Sequence, residues 1–86
     1  MPTVFVPTQL RDLTAGVAQL QATGSSLKEV LDELETRFPG VRTRLCDADG
    51  LLPGLQVSVD NTSTRKLSTK VEASSEIHFL PAIGGG

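Results

Sequence analysis

The residues that could most clearly take part in a reaction lie at the end of the chain, where Gly84, Gly85 and Gly86 follow Ile83. Glycine loses more conformational entropy on ordering than any other residue, so the sequence predicts a flexible segment that carries its free carboxylate away from the fold. Without a Cβ, these residues can also enter a channel that is too narrow for side chains. An enzyme could in this way select the Gly86 carboxylate from among ten acidic side chains. The predicted site is therefore the terminus itself.

A run of glycines is also typical of an artificial linker left by cloning. The residues before it argue against that origin, because Ile77 to Ile83 pass from a strand pattern into the glycines without any tag-like residue. An interaction domain with an inert tail is a further alternative that the residues leave open.

Size and composition limit the possible functions. With 86 residues the chain forms one domain, too small for a deep enzyme cleft of its own. A net charge of −2, no Trp or Tyr and three Phe provide neither the basic surface nor the stacking aromatics of a nucleic-acid binder. No apolar run approaches the ~20 residues of a membrane span, and Met1 to Val4 lacks the pattern of a signal peptide, so we expect a cytoplasmic protein. The single cysteine, Cys46, excludes an internal disulfide and fits a reducing compartment.

Other reactive residues are too sparse for catalysis or metal binding. One His and one Cys cannot build a zinc site, so no metal is expected. Asp47 and Asp49 beside Gly50 lack the bidentate Glu of a calcium loop. We expect His78 to be an outward-facing strand residue and Cys46 to be a packed small side chain.

The elements that position the terminus follow from the spacing of the apolar residues. From Ser26 to Phe38 apolar side chains recur at helical spacing, and Ser26 with Glu29 has the spacing of a capping box. The sequence therefore predicts one amphipathic helix, which Pro39 and Gly40 end, with polar side chains along its exposed face.

Short strands are predicted on both sides of this helix. An N-terminal hairpin is expected from two strand-like segments, 3–7 and 17–21. After the helix, the sequence predicts a short helical turn at 41–45, a surface turn at 47–50, and strands at 55–59, 65–67 and 76–80. This order predicts an α+β fold in which a mixed sheet of four to five strands carries one main helix across one face.

Because one helix covers only one face of such a sheet, apolar residues on the other face need an explanation. Side chains alternate along a strand, so inward-pointing Val4 and Val6 imply outward-pointing residues between and after them. These are Phe5 and Pro7, and Leu80 takes the same orientation on the last strand. The sequence thus predicts an exposed apolar patch near the root of the tail, although scattered apolar surface residues are common and need no function.

Several segments together carry a family resemblance that covers nearly the whole chain. They are Val6-Pro7-Thr8 with Leu10-Arg11 and Thr14-Ala15-Gly16, Leu31 to Glu35 running into Phe38-Pro39-Gly40, Val57 to Asp60, and Phe79 to Ile83 before the glycines. The chain resembles the small β-grasp sulfur carriers of the ubiquitin-like fold. This family includes the small subunit of molybdopterin synthase, the thiamin-pathway carrier and the carrier for thiocarboxylate-dependent cysteine synthesis. The Val-Pro-Thr start and the Pro-Gly after the helix look most like the cysteine-synthesis branch, with the molybdopterin branch next.

The resemblance implies a ubiquitin-like β-grasp domain over 1–81 and a flexible C-terminal glycine tail over 82–86. It implies that the carboxylate of Gly86 is adenylated with ATP by a partner related to ubiquitin-activating enzymes, an adenylyltransferase and sulfurtransferase. The resulting thiocarboxylate would pass sulfur to a cysteine synthase or to the large subunit of molybdopterin synthase. The chain itself would hold no cofactor and would be a protein cosubstrate rather than an enzyme.

The resemblance also assigns roles near the tail. Leu80 and Pro81 match the family's apolar residue and proline at the partner interface, and Gly85 is the penultimate tail residue. Gly84 departs from the family pattern, in which Ala is frequent at this position. A ubiquitin-like modifier that is joined to lysines of other proteins needs the same fold and the same final glycines, so the sequence leaves that alternative open.

Overall fold

The computed structural model describes residues 1–48 and 50–80, so the predictions for Asp49, for Pro81 and for the tail lie outside the described residues. The strands are β1 (Thr3–Phe5), β2 (Gln19–Gln21), β3 (Cys46–Asp47), β4 (Gly50–Leu51), β5 (Gln56–Val59), β6 (Thr62–Thr64) and β7 (Glu76–Leu80). The helices are α1 (Leu27–Arg37) and α2 (Val41–Leu45), and a 3-10 turn spans Thr8–Leu10.

Five strands form one mixed sheet in the order β2-β1-β7-β5-β6. β1 and β7 are parallel, whereas the other neighbouring pairs are antiparallel. The predicted N-terminal hairpin is confirmed as the β1–β2 pair, although both strands are shorter than expected, and the last strand has the predicted bounds. The structure therefore confirms the α+β class with a mixed sheet and one main helix.

The core lies between α1 and one face of this sheet. The apolar side chains that α1 buries are Leu27, Val30, Leu31 and Leu34. The sheet contributes Val4, Ile77 and Phe79, each at most 5% exposed, together with Val57 from β5, and Val6 packs beside them just after β1. The alternation predicted for the first and last strands is thus confirmed on the inward side.

Helix α1 begins and ends close to the predicted residues. Ser26 is the N-cap, and its hydroxyl accepts a 3.2 Å hydrogen bond from the Glu29 N–H, as in a capping box. The Glu29 carboxylate accepts from the N–H and hydroxyl of Ser25 instead of from Ser26, so it closes the box one residue earlier. Gly40, with φ of 103°, follows the helix at the predicted turn and leads into α2, which confirms the short helical segment at 41–45.

The edge strand predicted at 65–67 is wrong, because the edge strand β6 lies three residues earlier. Asp60 and Asn61 adopt φ of 52° and 69°. Positive φ at both central residues is typical of the type I′ turn, which joins two antiparallel strands without a longer loop. Val59 therefore pairs directly with Thr62, and Arg65 lies just beyond the strand.

Asp47 and Gly50, the first and last residues of the segment predicted as a surface turn, belong to a small hairpin. Cys46 pairs with Leu51, and Asp47 pairs with Gly50, in a second, two-stranded sheet. Cys46 is 7% exposed within the hydrophobic core, which confirms that it is a packed side chain. Burial raises the pKa of its thiol, so it is a poor nucleophile at neutral pH.

Candidate functional site at the root of the tail

Strand β7 leads directly to the tail, and its last residue, Leu80, is also the last residue that the structure describes. β7 is the middle strand of the five, with β1 on one side and β5 on the other. Because β1 runs parallel to β7 and β5 runs antiparallel, the end of β1 and the start of β5 flank the end of β7. The chain therefore leaves the sheet from its centre, between two paired strands.

The sheet face that α1 does not cover, here called the open face, carries two of the predicted partner-binding residues. Phe5 pairs in register with His78, and their rings stack in parallel with centroids 4.2 Å apart and an interplanar angle of 4°. Leu80 lies two residues beyond His78 on the same face and is 43% exposed. The structure thus places Phe5 and Leu80 on adjacent strands at the root of the tail. Their role in partner binding stays a prediction.

Pro7 differs from these two residues. It is half-buried and serves as the N-cap of the 3-10 turn that follows β1. Together with Val6, Leu10 and Phe79 it lines a small internal void. Pro7 therefore contributes to the core as well as to the end of β1, and less of it is available to a partner than of Leu80.

The open face carries little charge. The strand residues that point to this side in the described part of the chain are Thr3, Phe5, Gln19, Gln21, Gln56, Ser58, Ser63, Glu76, His78 and Leu80. Glu76 is the one carboxylate among them, and its Oε1 lies 3.8 Å from His78 Nε2. A surface of neutral polar and apolar groups can be buried against a protein without the cost of desolvating many charges.

The acidic residues of α1 make contacts that the sequence did not predict. Glu33 accepts hydrogen bonds from the N–H and the hydroxyl of Thr23, at 2.7 and 2.8 Å. Partial burial is the largest single influence and works to raise the pKa of Glu33, but the hydrogen bonds from Thr23, the charge of Arg37 and the Gly24 backbone together outweigh it, so the pKa is lowered. Glu35 accepts from the N–H groups of Gly40 and Arg42. These carboxylates therefore hold loops in place.

Asp60 has a comparable role at the start of β7. It accepts hydrogen bonds from the Ser75 hydroxyl at 2.7 Å and from the Glu76 N–H at 2.9 Å. These two bonds, the one from Ser75 first, lower the pKa of Asp60. The ionised carboxylate thus stabilises the entry of the chain into the strand that carries the tail.

Two arginines bind backbone carbonyls beside the end of β7. Arg11 Nε donates to the carbonyl of Val6, just after β1, at 3.2 Å. Arg65 donates to the carbonyls of Leu51, the last residue of β4, and of Leu52 and Leu55 in the loop between β4 and β5. Sequence reasoning missed these contacts, and no pattern would have indicated them, because backbone carbonyls occur at every position.

Residues 1–48 and 50–80 contain no group of three or more His, Cys, Asp or Glu side chains that could hold a metal ion. Neither of their helices is long and apolar enough to cross a membrane.

Known proteins resemble this chain over almost its whole length. The profile of the ThiS family matches residues 4–86. The sulfur carrier protein CysO of Mycobacterium tuberculosis is 32% identical over 92 aligned positions, which cover 98% of this chain and 97% of the relative. The CysO protein of Mycobacterium bovis matches with the same identity and coverage.

Solved structures agree with the sequence relatives. The crystal structure of the Amycolatopsis orientalis BexX/CysO complex contains a chain that superposes with a TM-score of 0.93 at 31% identity, over 100% of both chains. Mycobacterium tuberculosis CysO superposes with a TM-score of 0.89 at 29% identity, over 96% of this chain and 100% of its own.

A more distant neighbour supports the architecture alone. Small archaeal modifier protein 1 from Haloferax volcanii has a TM-score of 0.76 at 20% identity, over 99% of this chain and 98% of its own. With the CysO structures, it confirms the ubiquitin-like β-grasp fold that the sequence predicts. The match over residues 4–86 and the full-length relatives show that the chain belongs to the ThiS family.

Proposed function

We propose that this chain is a sulfur carrier whose C-terminal carboxylate, on Gly86, is converted to a thiocarboxylate. The observation that carries the proposal is its end-to-end similarity to the sulfur carrier protein CysO, together with a family match that extends to Gly86. The position of β7 is consistent with it, because the chain leaves the middle of the sheet next to an open face that carries little charge.

The proposed chemistry begins with activation, since the negative charge of a carboxylate resists nucleophilic attack. A Gly86 carboxylate oxygen attacks the α-phosphorus of ATP, pyrophosphate leaves, and an acyl adenylate forms. A sulfide-level sulfur donor then attacks the carbonyl carbon, so that the C–S bond forms while the C–O bond to AMP breaks. The partner enzyme binds the ATP, and this chain supplies the carboxylate.

The thiocarboxylate explains how so small a domain can take part in chemistry. It is ionised at neutral pH with charge on sulfur, so it is a nucleophile that needs no neighbouring base. The similarity to CysO favours an acceptor of the cysteine synthase class, and the large subunit of molybdopterin synthase is the alternative.

The activating enzyme must dock close to the root of the tail. The five residues 82–86 span at most about 17 Å when fully extended. Phe5 and Leu80 offer the apolar surface on the open face at this point, and Pro81 follows directly in the sequence. We therefore propose that the activating enzyme docks on these residues.

The test is mass spectrometry of the chain after incubation with an activating enzyme, ATP and sulfide. The expected result is a gain equal to the mass difference between sulfur and oxygen, which deletion of both Gly85 and Gly86 abolishes because a single glycine then follows Ile83. Gly84→Ala is the matched control and should still be modified, because it leaves the last two glycines in place.

An unaltered mass would refute the proposal if the same enzyme preparation catalyses ATP–pyrophosphate exchange with its own carrier. Recovery of the chain in isopeptide linkage to lysines, without any thiocarboxylate, would instead support a ubiquitin-like modifier.

A further inference from the structure

We infer that Arg65 is a positioning residue that holds the neighbouring strand, β5, against the end of β7. It thereby sets the point from which the tail reaches its partner. This inference rests on the proposed function. It starts from the three carbonyls that the Arg65 guanidinium binds and from their place in the fold.

The guanidinium of Arg65 connects the end of β6 to the loop before β5. Its Nη1 donates to the carbonyl of Leu55, and its Nη2 donates to those of Leu51 and Leu52, at 3.1 and 3.3 Å. A planar fork with several donors in fixed directions can bind three acceptors at once, whereas the ammonium of a lysine is a point charge on a flexible stem.

The loop that Arg65 binds is a tight turn. The Leu55 N–H donates to the Leu52 carbonyl at 3.1 Å, and Gly54 between them adopts φ of 83°. Pro53 followed by a glycine of positive φ is typical of a type II turn, whose conformation is restricted before any tertiary contact forms. Arg65 therefore holds a segment that is already stiff, and a stiff segment transmits its position to the strand that follows it.

That strand is the direct neighbour of the tail root. Gln56, the first residue of β5, pairs with Leu80, the last residue of β7. Terminal strand pairs fray most readily because they have paired neighbours on one side alone. Because Arg65 binds Leu55, the residue that precedes Gln56 is also held in place, and the Gln56–Leu80 pair is supported on the side where the strand pairing ends. The other neighbour of β7 has a weaker counterpart, since Arg11 makes one bond to Val6.

The consequence for the proposed reaction is a matter of orientation. If the Gln56–Leu80 pair opens, the tail starts from a less defined point and reaches the partner's channel in a productive geometry less often. Loss of Arg65 should therefore lower the rate of the bound complex more than it weakens docking, because misplaced reacting groups reduce turnover without removing the contact surface.

The experiment compares Arg65→Gln with Lys66→Gln in the thiocarboxylation assay, with the carrier as the varied substrate. Lys66 is the adjacent exposed residue and loses the same charge, but the hydrogen bonds it makes in the structure come from its backbone. We expect Arg65→Gln to lower kcat about fivefold and to change KM less than about twofold, with Lys66→Gln like the wild type. Arg65→Lys should lie between them. Amide exchange at Leu80 should be faster in Arg65→Gln than in Lys66→Gln.

Circular dichroism at the assay temperature ensures that only folded chains are compared, and Arg65→Lys serves the comparison if Arg65→Gln does not fold. If the wild-type chain gains sulfur but Arg65→Gln and Lys66→Gln have equal kcat values, the positioning role alone is overturned. A higher KM for Arg65→Gln with an unchanged kcat also overturns it. A wild-type chain that gains no sulfur overturns the proposed function, and this inference with it.

Discussion

Leu80 is a large apolar side chain with 43% of its surface exposed, although it belongs to the central strand of the sheet. Its neighbours on the open face are mostly uncharged, and Phe5 beside it is half-buried by its stack with His78. These residues therefore differ in what a substitution would do. Leu80 contributes little to the core, whereas Phe5 contributes both to the sheet and to the surface, so Leu80 is the sharper probe of docking.

At this scale we predict that Leu80→Ser weakens binding to the activating enzyme and leaves folding nearly intact. Full burial of such a side chain contributes about 1.5 to 3 kcal/mol, so burial of the exposed 43% of Leu80 contributes roughly 0.6 to 1.3 kcal/mol, or about 3- to 9-fold in Kd. Isothermal titration calorimetry and thermal melting of the same variant check the two halves of the prediction.

The control for this substitution is Ala73→Ser. Ala73 is exposed in the loop before β7, at the opposite end of that strand from the tail. Ala73→Ser should therefore change neither the affinity for the activating enzyme nor the Tm. Wild-type affinity combined with a strongly lowered Tm for Leu80→Ser would show that Leu80 is a core residue and not a docking residue.

At the scale of elements, α1 is the largest contributor to the core and is tied to its surroundings by both faces. Its buried side packs on the sheet, while Glu33 and Glu35 on its polar side bind the loops before and after the helix. Leu34, 3% exposed, packs next to the small void that Val6 and Phe79 also line. The helix thus connects the core to the strand that carries the tail.

We predict that Leu34→Ala destabilises the domain by about 2 to 5 kcal/mol, because it removes buried methyl groups and enlarges an existing void. A domain of this size holds only ~5 to 15 kcal/mol in total, so the midpoint of urea denaturation should fall clearly. Thr36→Ala, at an exposed position of the same helix, is the control and should change stability by less than about 0.5 kcal/mol. Equal denaturation midpoints for both variants would mean that the buried face of α1 is misassigned.

At the scale of the whole molecule, ionised carboxylates hold several elements together. A hydrogen bond from Ser25 lowers the pKa of Glu29, and one from Lys28 lowers the pKa of Asp32. The pKa values of Glu33 and Asp60 are lowered as well, so four carboxylates share one direction of shift. In each case the folded chain stabilises the ionised carboxylate more than the unfolded chain does.

This direction predicts lower stability in acid. A carboxylate with a lowered pKa in the folded state contributes stability above its unfolded pKa, and that contribution is lost as the pH falls through the folded pKa. The Tm should therefore be nearly constant around neutral pH and should fall below about pH 4.5. Asp60→Asn, which cannot ionise, should show a shallower fall between the same pH values. A Tm that does not change down to about pH 3, or that rises, would contradict the prediction.

Local patterns were enough to predict the helix and the last strand. The 3.6-residue period of α1, its Ser26 cap and the alternation along Glu76–Leu80 depend on residues close together in the chain, so the sequence alone indicates these elements and the side that each buries. Residue types also indicate the terminus as the candidate site, whereas the chemistry proposed for Gly86 comes from the family resemblance. The position of β6 was missed although Asp60 and Asn61 are residue types that tolerate positive φ, because this pair lacks the glycine that marks the commonest two-residue turns.

The tertiary structure alone decided which distant groups meet. Glu33 binds Thr23 across 10 positions of sequence, and Arg65 binds Leu51 across 14. Such contacts have no local signature, because every residue offers a backbone carbonyl and only packing selects the one that a guanidinium reaches. The sequence alone thus indicates the tail as the candidate site. The open face beside the tail and the pairing that holds its root follow from the order of strands in the sheet.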